Sequence, residues 1–218
     1  MQITPVKPVV IAVDFDLTLC DTLNPWLKWA FDRCKMDWET ASSLLSIKDW
    51  SGSDWVPIMK DMGIEDPFAY WKQPDLCDNL YPMSDSVEAL RGLKQLAATR
   101  GIDLRIICVS HCVPEHIATK ERFLDEKCGG IFDAFISASE KQYVDFDLII
   151  DDSFTVARKC VDAGRKVIVP TTSKAEVSSI YGSSHSNLYQ WGEEYGDFWF
   201  TLVHYIGLSR VLEIAMLK

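Results

Sequence analysis

The chain has 218 residues, 48% of them hydrophobic and 25% charged, with a formal net charge of -10. That length can bury a substantial core as one domain, or as one domain with an insertion, and the composition excludes general disorder. The acid excess, without any run of Lys and Arg, excludes a surface built to grip long DNA or RNA. No uncharged apolar stretch reaches the roughly 18 residues of a membrane span. The N-terminal MQITPVKPVV lacks the apolar centre and cleavage site of a signal peptide. Seven cysteines without paired spacing fit reduced thiols better than a disulfide framework or a structural zinc site. The expectation is a cytoplasmic protein with no membrane partner.

In chain order, residues 9–15 (VVIAVDF) form a short apolar run ending in acid, which reads as a strand buried on both faces of a parallel sheet. Residues 22–84 then show helical patterns broken by turns and hold six of the eight tryptophans: Trp26, Trp29, Trp38, Trp50, Trp55 and Trp71. They read as a helical insertion over the sheet. Ser86 to Thr99 places Val87, Leu90, Leu93 and Leu96 on one helix face. Residues 104–109 (LRIICV) read as a second buried strand. Pro114 to Cys128 opens with Pro and Glu and stops before Gly129, as a helix should. Further strands are expected at 131–136, 146–150 and 166–169. A helix lies between the last two, from Ser153, its cap, to Ala163 before Gly164. From about residue 173 a polar loop leads to an amphipathic C-terminal helix. Its apolar stripe, Phe198 to Leu217, either packs on the core or makes a homodimer interface. Strands alternating with helices give an α/β fold, a doubly wound and mainly parallel sheet, with a small helical cap inserted after the first strand. The expected division is 1–21 with 85–218 as core, and 22–84 as cap.

The acidic residues fall where such a fold binds ligands, just outside the carboxyl ends of strands. The first strand ends in Asp14-Phe15-Asp16-Leu17-Thr18, and the strand at 146–150 ends in Asp151-Asp152-Ser153. Four converging carboxylates would repel and raise one another's pKa unless a cation joins them, and a hard cation with oxygen ligands, Mg2+, is the economical choice. Ser110 ends the second strand, and Lys141 precedes Asp151 by ten residues. A hydroxyl and an ammonium beside a cation and a free carboxylate make a site for a phosphoryl group. Lys120, the nearest competitor of Lys141, falls on a helix and reads as solvated.

DFDLT, then a strand ending in Ser, then Lys141, then DDS, resembles the four ordered motifs of the haloacid dehalogenase (HAD) superfamily. The likeness covers about residues 9–170. Within that superfamily the helical insertion, the segment FAYWKQPDLCDNLYPMSDSVEALRGL and the stretch KQYVDFDLIIDDS resemble the 5'(3')-deoxyribonucleotidases. The resemblance implies a HAD-like Rossmannoid core and a phosphomonoester hydrolase. Asp14 would be the nucleophile that forms an aspartyl-phosphate, and Asp16 the acid and base. Asp14, the backbone carbonyl of Asp16, Asp151 and Asp152 would serve Mg2+. Ser110 and Lys141 would bind the phosphoryl oxygens, and Thr18 would fix the loop beside them. Leu17-Thr18 stands where the family has Gly-Val, Ser110-His111-Cys112 where it has Thr-Ser-Pro, and Pro170-Thr171-Thr172-Ser173 departs from its Pro-Trp-Asn pattern.

The substrate class therefore stays open between a 5'- or 3'-(deoxy)nucleoside monophosphate and a sugar phosphate or other small phosphorylated metabolite. A non-hydrolytic phosphoacceptor or binding module is the alternative outside enzymes. For a mononucleotide, Trp50, Trp55, Phe68 and Trp71 are the candidate rings to stack on a base, although large rings also build the core of a small lid. His111, next to Ser110, either touches substrate or caps the following helix. Cys20, Cys108 and Cys112 fall near the same place and read as inert thiols.

Overall fold

A computed structural model describes residues 7–34, 36–37, 39–40, 55–170, 187–191, 198–202 and 207–217. Six strands form one parallel sheet in the order β3-β2-β1-β4-β5-β6. They are β1 (Val9–Val13), β2 (Leu104–Ser110), β3 (Ala134–Ser137), β4 (Leu148–Ile150), β5 (Lys166–Pro170) and β6 (Leu188–Trp191). Side chains alternate across the sheet as its pleat requires. Ile11, Val13, Ile106, Cys108, Leu148, Ile150 and Ile168 belong to one buried cluster. Ala12, Ile107, Val109, Ile149, Val167 and Val169 belong to the other. Burial on both faces is why these strands read as continuous apolar runs.

Helices cover both faces. Helix α3 (Ser86–Thr99) and α4 (Pro114–Cys128) lie on the first face with α6 (Leu208–Met216), and α5 (Phe154–Asp162) on the second. Pro114 opens α4, and Gly129, with φ 59°, closes it in the left-handed conformation that glycine adopts without strain. The Ser153 hydroxyl caps α5 by accepting from the Val156 N–H. Helix α6 buries Val211, Leu212, Ile214 and Ala215 against the core, so this part of the C-terminal stripe packs inward within the same chain. Strand β6 was not anticipated. It is a four-residue edge strand following a polar stretch, too short to show a period.

Between β1 and β2 the described residues form no strand of the sheet. Ahead of α3 they build α1 (Leu23–Cys34), α2 (Trp55–Asp61) and two 3-10 turns, Pro67–Lys72 and Leu76–Asn79. Aromatic rings make the core of this insertion. The Trp26 indole N–H donates to the Pro67 carbonyl at 2.7 Å, its ring stacks on Phe68, and Trp71 meets it edge-on. The two legs that join the insertion to the sheet run side by side: Cys20 bridges Pro82, and the Met83 N–H donates to the Leu19 carbonyl at 2.8 Å. No helix among the described residues is long and apolar enough to cross a membrane.

The chain's C-terminal part returns to the loop after β1. Trp199, fully buried on a short helical turn at Phe198–Thr201, donates its indole N–H to the Thr18 carbonyl at 2.7 Å. A Trp199→Phe protein leaves that buried carbonyl unpaired and should lose about 1–3 kcal/mol, read as a lower urea midpoint with an unchanged slope. An unchanged midpoint would contradict this account of the loop.

Candidate active site

The sheet topology brings the acidic motifs together. The chain proceeds from β1 outward through β2 to β3, then returns to lay β4, β5 and β6 on the other side. The crevice of such a sheet opens at this reversal, above the carboxyl ends of β1 and β4. Register pairs Val13 with Ile150, and the Asp14 N–H donates to the Ile150 carbonyl at 2.9 Å, so Asp14 and Asp151 leave adjacent strands at the same height. Ser110 ends β2 on the other flank of β1.

Two ion-paired groups occupy the crevice. In the first, the Lys141 ammonium donates to Asp14 Oδ1 at 2.5 Å and to Asp151 Oδ2 at 2.7 Å. All three side chains are buried. Asp152 completes the acid set: one carboxylate oxygen from each of Asp14, Asp151 and Asp152 falls within 4.8 Å of the others. Thr18 ties the two strand ends together. Its hydroxyl donates to Asp152 Oδ1 at 3.2 Å and accepts from the Asp152 N–H at 3.1 Å. The Ser153 N–H donates to Asp151 Oδ1.

In the second group, the Lys120 ammonium donates to Asp16 Oδ2 at 2.5 Å and to Ser110 Oγ at 2.8 Å. This corrects the reading of Lys120 as solvated. Its side chain is 3% exposed, because it lies on the inner stripe of α4, where its ammonium also sits 4.5 Å from the centre of the Phe15 ring. The signal was present in the sequence. Lys120 stands three and four residues before Phe123 and Leu124, which are buried on the same helix.

The loop between these groups is sharply folded. The Leu19 and Cys20 N–H groups donate to the Phe15 carbonyl, and the Leu17 N–H to the Cys20 carbonyl. Leu17 takes φ 62°, a left-handed conformation that costs a branched-chain residue about 1–2 kcal/mol. Strain of this kind is characteristic of chain held in place around a site. The turn sends Asp16 toward Ser110 and Lys120, away from the other acids.

Burial dominates the titration of the acid set. It pushes Asp14 up to about 7 against the pull of Lys141, with Asp151 and Asp16 adding to the rise. Burial likewise raises Asp151 and Asp152. On Lys141 burial acts downward but is outweighed by Asp14 and Asp151, so its ammonium is held above the ordinary lysine range. Lys120 is held up in the same way, chiefly by Asp16. One ammonium against two buried carboxylates and a half-buried one leaves the set short of positive charge. Oxygen donors at this spacing fit a hard divalent cation.

The remaining candidates are spread out. Trp55 is buried in the insertion against Phe31. Trp71 is half-buried and edge-on to Trp26 and Tyr70, whereas Phe68 is half exposed. His111 is exposed beside Ser110, and Trp50 lies outside the described residues. Among the described residues, no ring contact or hydrogen bond joins Phe68, Trp71 or His111 to the Asp14, Asp151 and Asp152 carboxylates. Tyr70 is buried against Trp29 and Trp71, and burial raises its phenol. Burial also pushes the Cys20, Cys108 and Cys112 thiols up, which keeps them unreactive.

The family model described as "5' nucleotidase, deoxy (Pyrimidine), cytosolic type C protein" matches residues 7–182. The chain belongs to this family. No curated protein matches it. Solved structures share the fold at low identity. A putative beta-phosphoglucomutase from Thermotoga maritima is 13% identical with a TM-score of 0.52, covering 90% of this chain and 99% of that one. A HAD-superfamily hydrolase from Ehrlichia chaffeensis is 14% identical with a TM-score of 0.50, covering 94% and 100%. A haloacid dehalogenase-like hydrolase from Xanthomonas campestris is 12% identical with a TM-score of 0.50, covering 95% and 96%. The architecture is thus that of HAD hydrolases.

The raised Asp14 carboxyl has a consequence for metal binding. An unfolded aspartate titrates near 3.9, so between there and about 7 the folded chain holds a proton that the unfolded chain releases. This group therefore favours folding at low pH, and its contribution is lost as pH rises through about 7. A divalent cation on the same oxygens must displace that proton. Mg2+ should raise the thermal midpoint by several degrees at about pH 8 and by less at about pH 6. Equal shifts at both would contradict the assignment of Asp14 to the cation site.

Proposed function

We propose that the chain is a Mg2+-dependent phosphomonoester hydrolase that works through an aspartyl-phosphate and acts on nucleoside monophosphates. The observation that carries this reading is the pairing of Asp14 and Asp16 on one strained turn, each with its own buried lysine, at the reversal point of the sheet.

Each residue has a distinct task. The Asp14 carboxylate attacks phosphorus, forming a new carboxylate–phosphorus bond as the bond to the leaving oxygen breaks, and Asp16 gives that oxygen its proton. Water then attacks the aspartyl-phosphate, passes its proton to Asp16, and releases Asp14. Attack requires ionised Asp14, and Lys141, 2.5 Å away, opposes the effect of burial and limits the rise of that carboxyl to about 7. Ser110 and Lys141 bind phosphoryl oxygens, and Lys120, hydrogen-bonded to Ser110 and Asp16, adds a second ammonium on the Asp16 side. Asp14, Asp151 and Asp152, with the carbonyl of Asp16, would hold Mg2+, whose chemistry is to neutralise charge on the transferring group. Dissociative phosphoryl transfer asks mainly for such positioning and neutralisation.

Family membership and the aromatic insertion support a nucleotide as substrate. The net charge of -10 supports a free mononucleotide over a polynucleotide, since no basic track leads to the site. Thymidylate, uridylate and their 3' isomers should release phosphate with Mg2+ and not with EDTA. Asp14→Asn should lower turnover by about three orders of magnitude or more, and Lys141→Met by about two. Inert nucleotides beside an active sugar phosphate would overturn the substrate class. Full activity in Asp14→Asn would overturn the mechanism.

A further inference from the structure

Helix α4 reads two parts of the molecule from one stripe. His116, Thr119, Lys120 and Phe123 share its inner face, and all four are buried. The His116 Nε2–H donates to the Gln73 carbonyl at 2.8 Å, and Thr119 Oγ1 donates to Asp78 Oδ1 at 2.7 Å. Lys120 reaches Asp16 and Ser110, and Phe123 meets Phe15 edge to face at 4.9 Å. Arg122 closes on both Asp78 oxygens, at 2.9 and 2.8 Å. Gln73 and Asp78 belong to the leg by which the inserted segment returns to the sheet. Asp78 therefore grips α4 on either side of Lys120, at 119 and at 122.

We propose that Asp78 is a positioning residue that seats α4 so that Lys120 reaches Asp16 and Ser110; this rests on the reading of Lys120 as the second ammonium of the phosphoryl site. Lysine is a long, flexible side chain, and where its ammonium falls depends on where its helix lies. The two contacts of Asp78 are unequal. Arg122 is half exposed, so its ion pair is screened by solvent and contributes little. Thr119 is 1% exposed, and its hydroxyl donates to the Asp78 carboxylate from inside the packed face of α4. Losing Asp78 leaves that hydroxyl in need of a partner and frees α4 to shift. A shift of an ångström at a phosphate site is enough to disable it.

The test is a double-mutant cycle on the affinity of the Mg2+-loaded protein for inorganic phosphate, measured by calorimetry and so independent of turnover. Asp78→Ala and Thr119→Val should each weaken binding about tenfold, whereas Arg122→Ala should change it less than about twofold. Thr119→Ser should restore it. With Lys120 already replaced by Ala, Asp78→Ala should cost less than about twofold more. A tenfold cost that persists without Lys120, or an Asp78→Ala protein that binds like the parent, would overturn the proposal. If Asp78→Ala does not fold, the Thr119→Val and Lys120→Ala pair runs the same cycle. A protein that binds phosphate with this coupling but hydrolyses no phosphomonoester would refute the proposed activity and leave the role of Asp78 standing.

Discussion

Burying several carboxylates around one ammonium is costly unless each charge finds a partner, and the end of this sheet is arranged to do it. Asp14 and Asp151 leave neighbouring parallel strands at equal height, and Lys141 is held within 2.5 and 2.7 Å of them. Replacing such a group with well-packed apolar side chains would leave many proteins more stable. Keeping it here makes sense as chemistry. On the proposed mechanism, a carboxylate that burial pushes toward neutrality and a lysine pulls back is a nucleophile already placed, with a cation to settle its charge.

The two faces of the site are served by different parts of the chain. The strand ends and the tight turn through Leu17 supply the acids, and the Trp199 indole holds that turn from the C-terminal side. Helix α4 supplies the second cation and is docked against the returning leg of the insertion through His116, Thr119 and Arg122. The insertion is thus joined to Asp16 and Ser110 through α4 by its return leg, as well as by the strand-end linkers.

Most of the sheet was legible because strands buried on both faces leave continuous apolar runs. Helix α4 was legible because Pro114 and Gly129 mark its ends. The acidic motifs could be read because a strand end is where the fold opens. What escaped depended on three-dimensional neighbours. Lys120 looked solvated beside Glu121 and Arg122, and only its place on the stripe of Phe123 and Leu124 tells otherwise. Leu17 gives no sign in sequence that it adopts positive φ, although a Gly in the family at that position is what such a turn favours. The tryptophans announced an aromatic insertion, but composition could not say which rings build its core. Trp26, Trp55 and the smaller Tyr70 are buried in it, while Phe68 is half exposed.

The acid excess of the chain has two parts, a solvated majority and a few buried carboxylates at the sheet's reversal point. The account stands or falls on what Asp14 does. A crystal structure grown with Mg2+ and beryllium trifluoride, a mimic of a carboxyl-bound phosphoryl group, tests it most directly. The account predicts beryllium on a carboxylate oxygen of Asp14, with Ser110 and Lys141 donating to the fluorides and the cation between Asp14, Asp151 and Asp152. Beryllium fluoride bound elsewhere, with Asp14 still closed on Lys141, would contradict it.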